Sequence, residues 1–301
     1  MKKVACFDVG GTFIKYGVVN EQGEILTKSK LHTPKKNCKK EIPEIIIQEI
    51  EKLKEYHNIN SVGISTAGKV DSANGEIIFA SENLPGYSGT KLSKEIRKNT
   101  GLECFVENDV NSVALAESWK GAGKGLSTFV CLTLGTGVGG AIIINNKLYK
   151  GVMGGAGEIG HMVINEKGDN CNCGSRGCFE RYASTASLIR RYSMESGIPK
   201  EDLSGKDIFD RLENGDKQAV RVYKDFLNHI VTGLVNITHI FDPGLIVLGG
   251  GISAQGEPFF NDLNELFKSR VMPSYEEYTK IVQAQLGNDA GILGACYIAL
   301  N

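Results

Sequence analysis

Short β-branched and apolar runs broken by glycine clusters alternate along this chain with amphipathic stretches of helical period. Residues 4–19 are apolar on both sides of Gly10-Gly11-Thr12, which predicts two strands joined by a tight turn, and another turn follows at 20–23. Over 41–57, Ile42, Ile45, Ile46, Ile50 and Leu53 share a helical face while Glu and Lys fill the other. A buried strand is expected at 61–65, a helix at 91–99 closed by Gly101, and a strand at 104–106. A helix at 111–119 ends at Gly121, Gly123 and Gly125, and strands at 128–134 and 141–144 flank Gly135, Gly137, Gly139 and Gly140. Asn145-Asn146 then turns the chain toward a glycine-rich loop at 151–160. The longest helix is expected at 216–241, where Val220, Val222, Tyr223, Phe226, Ile230, Leu234, Ile237 and Ile240 recur near helical spacing until Pro243-Gly244. A short strand at 245–248 and an apolar helix at 289–300 complete the pattern.

A glycine turn between two short strands opens both halves, so the chain reads as two related α/β lobes with substrates between them. Its 301 residues exceed the about 100–200 of one ordinary domain, and no Pro/Ser linker or short repeat divides them. Apolar residues at 41% and charged residues at 23% exclude disorder, collagen and coiled coil. Lys+Arg at 34 against Asp+Glu at 35 leaves a net charge of -1, which implies no nucleic-acid partner. Asp8 and Gly10-Gly11 interrupt the apolar run behind Met1-Lys2-Lys3 before a signal core forms. No apolar run nears the about 18–20 residues of a membrane helix, so a soluble cytoplasmic protein without a membrane partner is expected. Cys6, Cys38, Cys104, Cys131 and Cys296 are scattered, as free thiols in a reducing compartment would be.

Gly135-Thr136-Gly137-Val138-Gly139-Gly140 matches G-x-G-x-x-G, yet a dinucleotide turn must run into a helix and the residues at 141–144 favour a strand. A hairpin fits better. Taken alone it reads as an ordinary turn; with Gly10-Gly11-Thr12 and Gly249-Gly250-Gly251 it reads as one of three phosphate cradles, Thr136 adding a hydroxyl. No loop ends in Gly-Lys-Ser/Thr, so none is a Walker A motif. Glu107-Asn108-Asp109 stands between an expected strand and helix, where Asn and Asp serve as caps. Beside phosphate loops, Asp109 is also a candidate general base. His161 with Cys171, Cys173 and Cys178 offers a closed Zn²⁺ tetrahedron, structural because no position is left for water; a redox cluster is the alternative. Glu158 and Glu180 flank it, either as solvated carboxylates or as acceptors for a polyol.

These residues together resemble the ROK family (repressors, uncharacterised reading frames and sugar kinases) over essentially the whole chain. Asp8-Val9-Gly10-Gly11-Thr12 resembles its first phosphate motif, Glu107-Asn108-Asp109 its catalytic segment and Leu134-Gly135-Thr136-Gly137 its second phosphate motif. Gly157-Glu158-Ile159-Gly160-His161, with Cys171, Cys173-Gly174, Gly177-Cys178 and Glu180, resembles its zinc signature, and Ile246-Val247-Leu248-Gly249-Gly250-Gly251 its adenosine-side loop. The resemblance implies an α/β, two-lobed actin-like (ribonuclease H-like) ATPase fold with an interlobe cleft and a structural zinc site. A smaller lobe would take residues 1–110 with the C-terminal helix at about 289–301 packed back on it, and a larger lobe 111–288 with the zinc motif.

The activity implied is ATP-dependent phosphorylation of a hexose 6-hydroxyl, with Asp109 taking the proton. Asn108, Glu158, His161 and Glu180 would hold ring hydroxyls and Gly68 would line the sugar side. His161 can serve zinc and sugar through its two ring nitrogens. Asp8 would position Mg²⁺, while Gly10, Gly11, Thr12, Gly135, Thr136, Gly137, Gly249, Gly250 and Gly251 hold ATP. Many relatives carry Lys directly after Gly-Gly-Thr; here Phe13 stands there and Lys15 follows two positions later, outside the expected site. Glucose is the first expected substrate, with N-acetylmannosamine and β-glucosides such as cellobiose as alternatives. A non-catalytic sugar sensor is the reading from another class. DNA-binding relatives place a helix-turn-helix ahead of the first glycine motif, and seven residues precede Asp8, so a repressor is not expected. A homodimer is implied, since relatives are often dimers.

Overall fold

The computed structural model describes residues 1–301, which divide into two units. The first takes Met1–Gly125, Leu148–Ala156 and Leu286–Asn301; the second takes Leu126–Lys147 and Gly157–Gln285.

In the first unit, β1 (Lys3–Val9), β2 (Phe13–Asn20) and β3 (Ile25–His32) form an antiparallel meander. Both faces of β1 are buried: Ala5, Phe7 and Val9 join one apolar cluster, Val4 and Cys6 another, as the two-residue period of a strand requires. There follow α1 (Cys38–Lys54), β4 (Ser61–Thr66), the hairpin β5 (Lys69–Asp71) and β6 (Glu76–Phe79), α2 (Leu92–Thr100), β7 (Cys104–Asn108) and α3 (Asp109–Lys120). The five-stranded sheet has the order β3-β2-β1-β4-β7, with β4 parallel to β1 and β7 parallel to β4. Gly101 closes α2 in the left-handed conformation, φ 72°.

The second unit repeats this topology. β8 (Phe129–Leu134) and β9 (Val138–Ile144) form the expected hairpin, and Asn145-Asn146, both at positive φ, turn β9 into β10 (Lys147–Leu148). After the zinc-motif loops come α4 (Glu180–Ala183), α5 (Thr185–Ser196), α6 (Gly205–Glu213), α7 (Lys217–Phe241), β11 (Leu245–Gly249), α8 (Glu257–Lys268) and β12 (Lys280–Gln283). The sheet order is β10-β9-β8-β11-β12, with β8, β11 and β12 parallel. The Asp216 carboxylate caps α7 by accepting the N–H groups of Gln218 and Ala219. Ile240, placed on the core face by periodicity, is exposed in the last turn of α7, while Ile230, Leu234 and Ile237 are buried.

The last helix, α9 (Ala290–Leu300), belongs to the first unit, where Ile292, Ala295 and Cys296 cluster with Val4, Cys6 and Ala116. Packing is so close that a side-chain carbon at Gly63 would collide with the Ala295 carbonyl, and one at Gly294 with that of Ser112. This contact ties α3 to α9, and the first unit runs on to Gly125. No helix is long and apolar enough to cross a membrane.

Candidate active site and metal centre

The expected site residues of the first unit, and the two glycine loops of the second, stand at the carboxyl ends of parallel strands, where an open α/β sheet leaves room for a ligand. In the first unit Asp8 lies near the end of β1, Gly68 follows β4, and Asn108 and Asp109 join β7 to α3. Asn108 caps α3, its side-chain oxygen accepting the N–H groups of Val110 (2.9 Å) and Asn111 (3.1 Å). Its amide nitrogen donates to the Gly68 carbonyl and to Asp109 Oδ1, each at 2.9 Å. One side chain thus joins Gly68, Asn108 and Asp109. The capping reading of the tripeptide applies to Asn108, which leaves Asp109 as the first helical residue.

Loss of solvent, reinforced by the charge of Asp8, pushes the Asp109 carboxyl up to about 6. Burial raises Asp8 as well, against the pull of Lys15. Lys15, outside the expected set, pairs with Asp8 across the β1–β2 register and sets its Nζ 3.5 Å from Oδ2, while Ser65 Oγ donates to Oδ1 at 3.1 Å. Gly291 of α9 abuts the Asp8 carboxylate so closely that no side-chain carbon would fit. Two carboxylates whose charge is incompletely balanced fit a divalent cation such as Mg²⁺. Beside them Gly10, Gly11 and Thr12 form the β1–β2 turn: Gly10 N–H donates to the Phe13 carbonyl, Thr33 Oγ1 to the Gly10 carbonyl (2.7 Å) and Lys35 Nζ to the Gly11 carbonyl (2.7 Å).

In the second unit Gly135, Thr136 and Gly137 form the β8–β9 turn, closed by Gly135 N–H on the Gly137 carbonyl at 3.0 Å, and Thr185 N–H holds the Gly135 carbonyl at 2.8 Å. Gly249 ends β11, and Gly250 packs against the Leu134 backbone, which brings the second and third glycine loops together. Ser253 fixes that loop through its Oγ on the Gly250 carbonyl at 2.8 Å. Glu180, at the start of α4, reaches both neighbouring features: Oε1 lies 3.2 Å from Cys171 Sγ, and Gly137 abuts Oε2. Glu158 is exposed, its Oε2 3.9 Å from His161 Nε2.

The side chains of His161, Cys171, Cys173 and Cys178 converge, with all ligand atoms within 4.8 Å of one another. Cys171 Sγ is 3.6 Å from His161 Nδ1, and Cys173 Sγ is 3.6 Å from Cys178 Sγ. A tetrahedral zinc with Zn–S about 2.3 Å and Zn–N about 2.0 Å places sulfurs about 3.8 Å apart and sulfur and nitrogen about 3.5 Å apart. The cluster fits a structural zinc site through Nδ1, leaving Nε2 on the side of Glu158. Gly174 and Gly177, both at positive φ, make the knuckle, and Gly177 lies against the Asn165 carbonyl where a side chain would not fit. A bridge between Val163 and Cys178 and another between Asn170 and Arg176 fasten its base.

Comparison with known proteins agrees with this geometry. The model of the ROK family matches residues 4–301. A glucokinase of Thermotoga maritima is 37% identical over 98% of this chain and 96% of its own, and a beta-glucoside kinase of Listeria monocytogenes is 34% identical over 98% and 96%. The crystal structure of a ROK family glucokinase from Streptomyces griseus in complex with glucose and AMPPNP superposes with a TM-score of 0.86 at 33% identity, covering 99% of each chain. With the family's two-sheet α/β actin-like fold, the His-Cys₃ cluster and a match along nearly its whole length, the chain belongs to the ROK family and is of its sugar-kinase kind.

Proposed function

We propose that this protein transfers the γ-phosphoryl group of ATP to the 6-hydroxyl of a hexose, with glucose as the first substrate. The observation that carries the reading is Asp109: a carboxyl at the strand-to-helix junction, oriented by Asn108 and raised to about 6, where a base works near neutral pH. As the hydroxyl oxygen bonds the γ-phosphorus, the O–H proton passes to Asp109 and ADP leaves with the electrons of the broken P–O bond. Asn108, Glu158, His161 and Glu180 are assigned to the ring hydroxyls and Gly68 to the sugar side. The three glycine loops are assigned to ATP, whose γ-phosphate accounts for most of the charge the site must steady.

Asp8 is assigned to Mg²⁺, which supplies positive charge to the phosphate oxygens when bound. Zinc has a structural part, holding His161 so that Nε2 is available to sugar. Glucose leads because the glucokinases of Thermotoga maritima and of two Streptomyces species are among the full-length relatives, while the beta-glucoside kinases keep a glycoside as the next candidate.

The test is ADP release from Mg-ATP with glucose, mannose, fructose, N-acetylmannosamine, N-acetylglucosamine and cellobiose, with Asp109→Asn as control. Turnover with glucose that the variant loses supports the proposal. Preference for N-acetylmannosamine or cellobiose reassigns the sugar, and saturable sugar binding without ADP release marks a sensor.

A further inference from the structure

Arginines from three elements of the second unit gather beside the zinc knuckle. Asp169, two residues ahead of Cys171, accepts from Arg190 Nη2 at 2.6 Å, with Arg191 Nη2 at 3.8 Å, both from α5. The charge of Arg181, on α4, reaches the same carboxylate, and Arg190 also donates to the Arg181 carbonyl at 2.9 Å. Asp169 is itself fastened, its N–H donating to Tyr182 Oη (2.7 Å) and its carbonyl accepting from Gly177 (2.8 Å). The buried Tyr182 ring is the floor of the cluster, with the Arg191 guanidinium 4.9 Å over its centroid and the His229 ring of α7 4.9 Å away. Arg270, just beyond α8, lies along α7, where it donates to the Asn228 carbonyl (2.9 Å) and to Thr232 Oγ1 (3.0 Å).

Arg191 and Arg270 meet at His229: burial lowers the proton affinity of this ring and the two charges add to the effect, with Asp225 opposing them. Four guanidinium groups thus converge where Asp169 alone is in ionic contact. Arg181 and Arg270 pair with no carboxylate, and the Nε atoms of Arg181 and Arg191 are buried without a partner, so Asp169 does not saturate the cluster. Like charges held this close repel one another, and an anion relieves them. One guanidinium fork matches a planar carboxylate; guanidiniums arriving from α4, α5 and the end of α8 suit a tetrahedral group with three free oxygens. We propose that Arg181, Arg190, Arg191 and Arg270 form a binding site for a dianionic phosphate group, carried by inorganic phosphate or by a small phosphate monoester. The site goes beyond the sugar-kinase reading, since none of these four residues is assigned to ATP, sugar or zinc.

The test titrates the zinc-loaded protein with inorganic phosphate at constant ionic strength, with chloride as the control, and reads amide exchange over residues 165–192 and 225–232. Arg191→Gln removes the guanidinium over Tyr182. Arg270→Gln is the second variant, an exposed residue bonded only to Asn228 and Thr232, so its loss leaves the fold intact. Expected is a slowing of exchange in wild type that saturates with phosphate and is absent with chloride, with a midpoint about tenfold higher in each variant. A parallel titration with hexose 6-phosphate separates the two sources. Tighter binding than that of phosphate, weakened by the same substitutions, supports the site as one for a monoester, and equal or weaker binding supports it as one for the free anion. Phosphate that protects no better than chloride, or that protects both variants as well as wild type, overturns the inference and leaves the kinase reading untouched. A wild type that phosphorylates no sugar overturns the kinase reading, and the phosphate titration still decides this site.

Discussion

The carboxylates of Asp8 and Asp109 act on one another: the charge of Asp8 adds to burial in raising the proton affinity of Asp109. Each comes from a different strand end, and neither has a buried cation to itself. Lys15 on Asp8 is about one-third exposed. The pair is a deliberate concentration of negative charge, tolerable in the free protein because protons or a divalent ion can relieve it.

Activity should therefore rise with pH through about 6 as Asp109 loses its proton, and a pH profile of kcat/KM in the wild type measures this. Asp109→Asn should lower kcat by about 10²–10⁴-fold while sugar affinity persists, the usual worth of a positioned base. A folded Asp109→Asn protein with near-normal turnover would remove the assignment.

The same substitution should stabilise the free protein. A carboxyl with a higher proton affinity folded than unfolded favours folding at low pH, and that contribution is lost as pH rises from about 4 through about 6. Asp109→Asn is expected to gain on the order of 1–3 kcal/mol at pH 7 and nothing near pH 4, read from urea denaturation at the two pH values. A gain independent of pH would point to packing instead.

Cys173→Ala should cost more than about 100-fold in zinc affinity and raise the sugar KM, because His161 then loses its fixed orientation. Metal content by atomic absorption and sugar kinetics on the same sample check both halves. Full zinc content in the variant would exclude Cys173 as a ligand.

Gly291→Ala inserts a carbon where the Asp8 carboxylate lies. The expected result is a KM for Mg-ATP raised about tenfold with sugar binding unchanged, since Asp8 is displaced and the sugar residues are not. Isothermal titration with sugar and kinetics with varied Mg-ATP separate the two.

Glu117 is fully buried and accepts the backbone N–H groups of Ala122 (2.7 Å) and Leu286 (2.9 Å). Glu117→Ala should lower stability by about 2–4 kcal/mol by leaving two donors unsatisfied, visible as a lower Tm. The loss should be accompanied by faster amide exchange at Ala122 and Leu286.

Much of this was legible in the sequence because it is local. The Asn145-Asn146 turn and the glycine at Gly101 each act within a few residues, and four ligands within eighteen residues announced the zinc cluster. The strand β3 was missed because its middle residues are exposed on a sheet edge and show no apolar alternation. Lys15 was passed over because its meaning lies in the β1–β2 register, which sets it opposite Asp8. Glu107 looked like one third of a motif; its donors come from positions 72, 111 and 150, and nothing in the tripeptide points to them.

The place of α9 also orders the protein's birth. The second unit draws its helices and nearly all its strand residues from stretches between 126 and 285, ahead of α9 in the chain. The first unit, although its sheet is translated earliest, keeps the β1 and β4 face that seats Val4, Cys6 and Gly63 uncovered until α9 arrives. A chain cut before Ala290 would leave that face of the first unit bare and display apolar surface to chaperones and proteases.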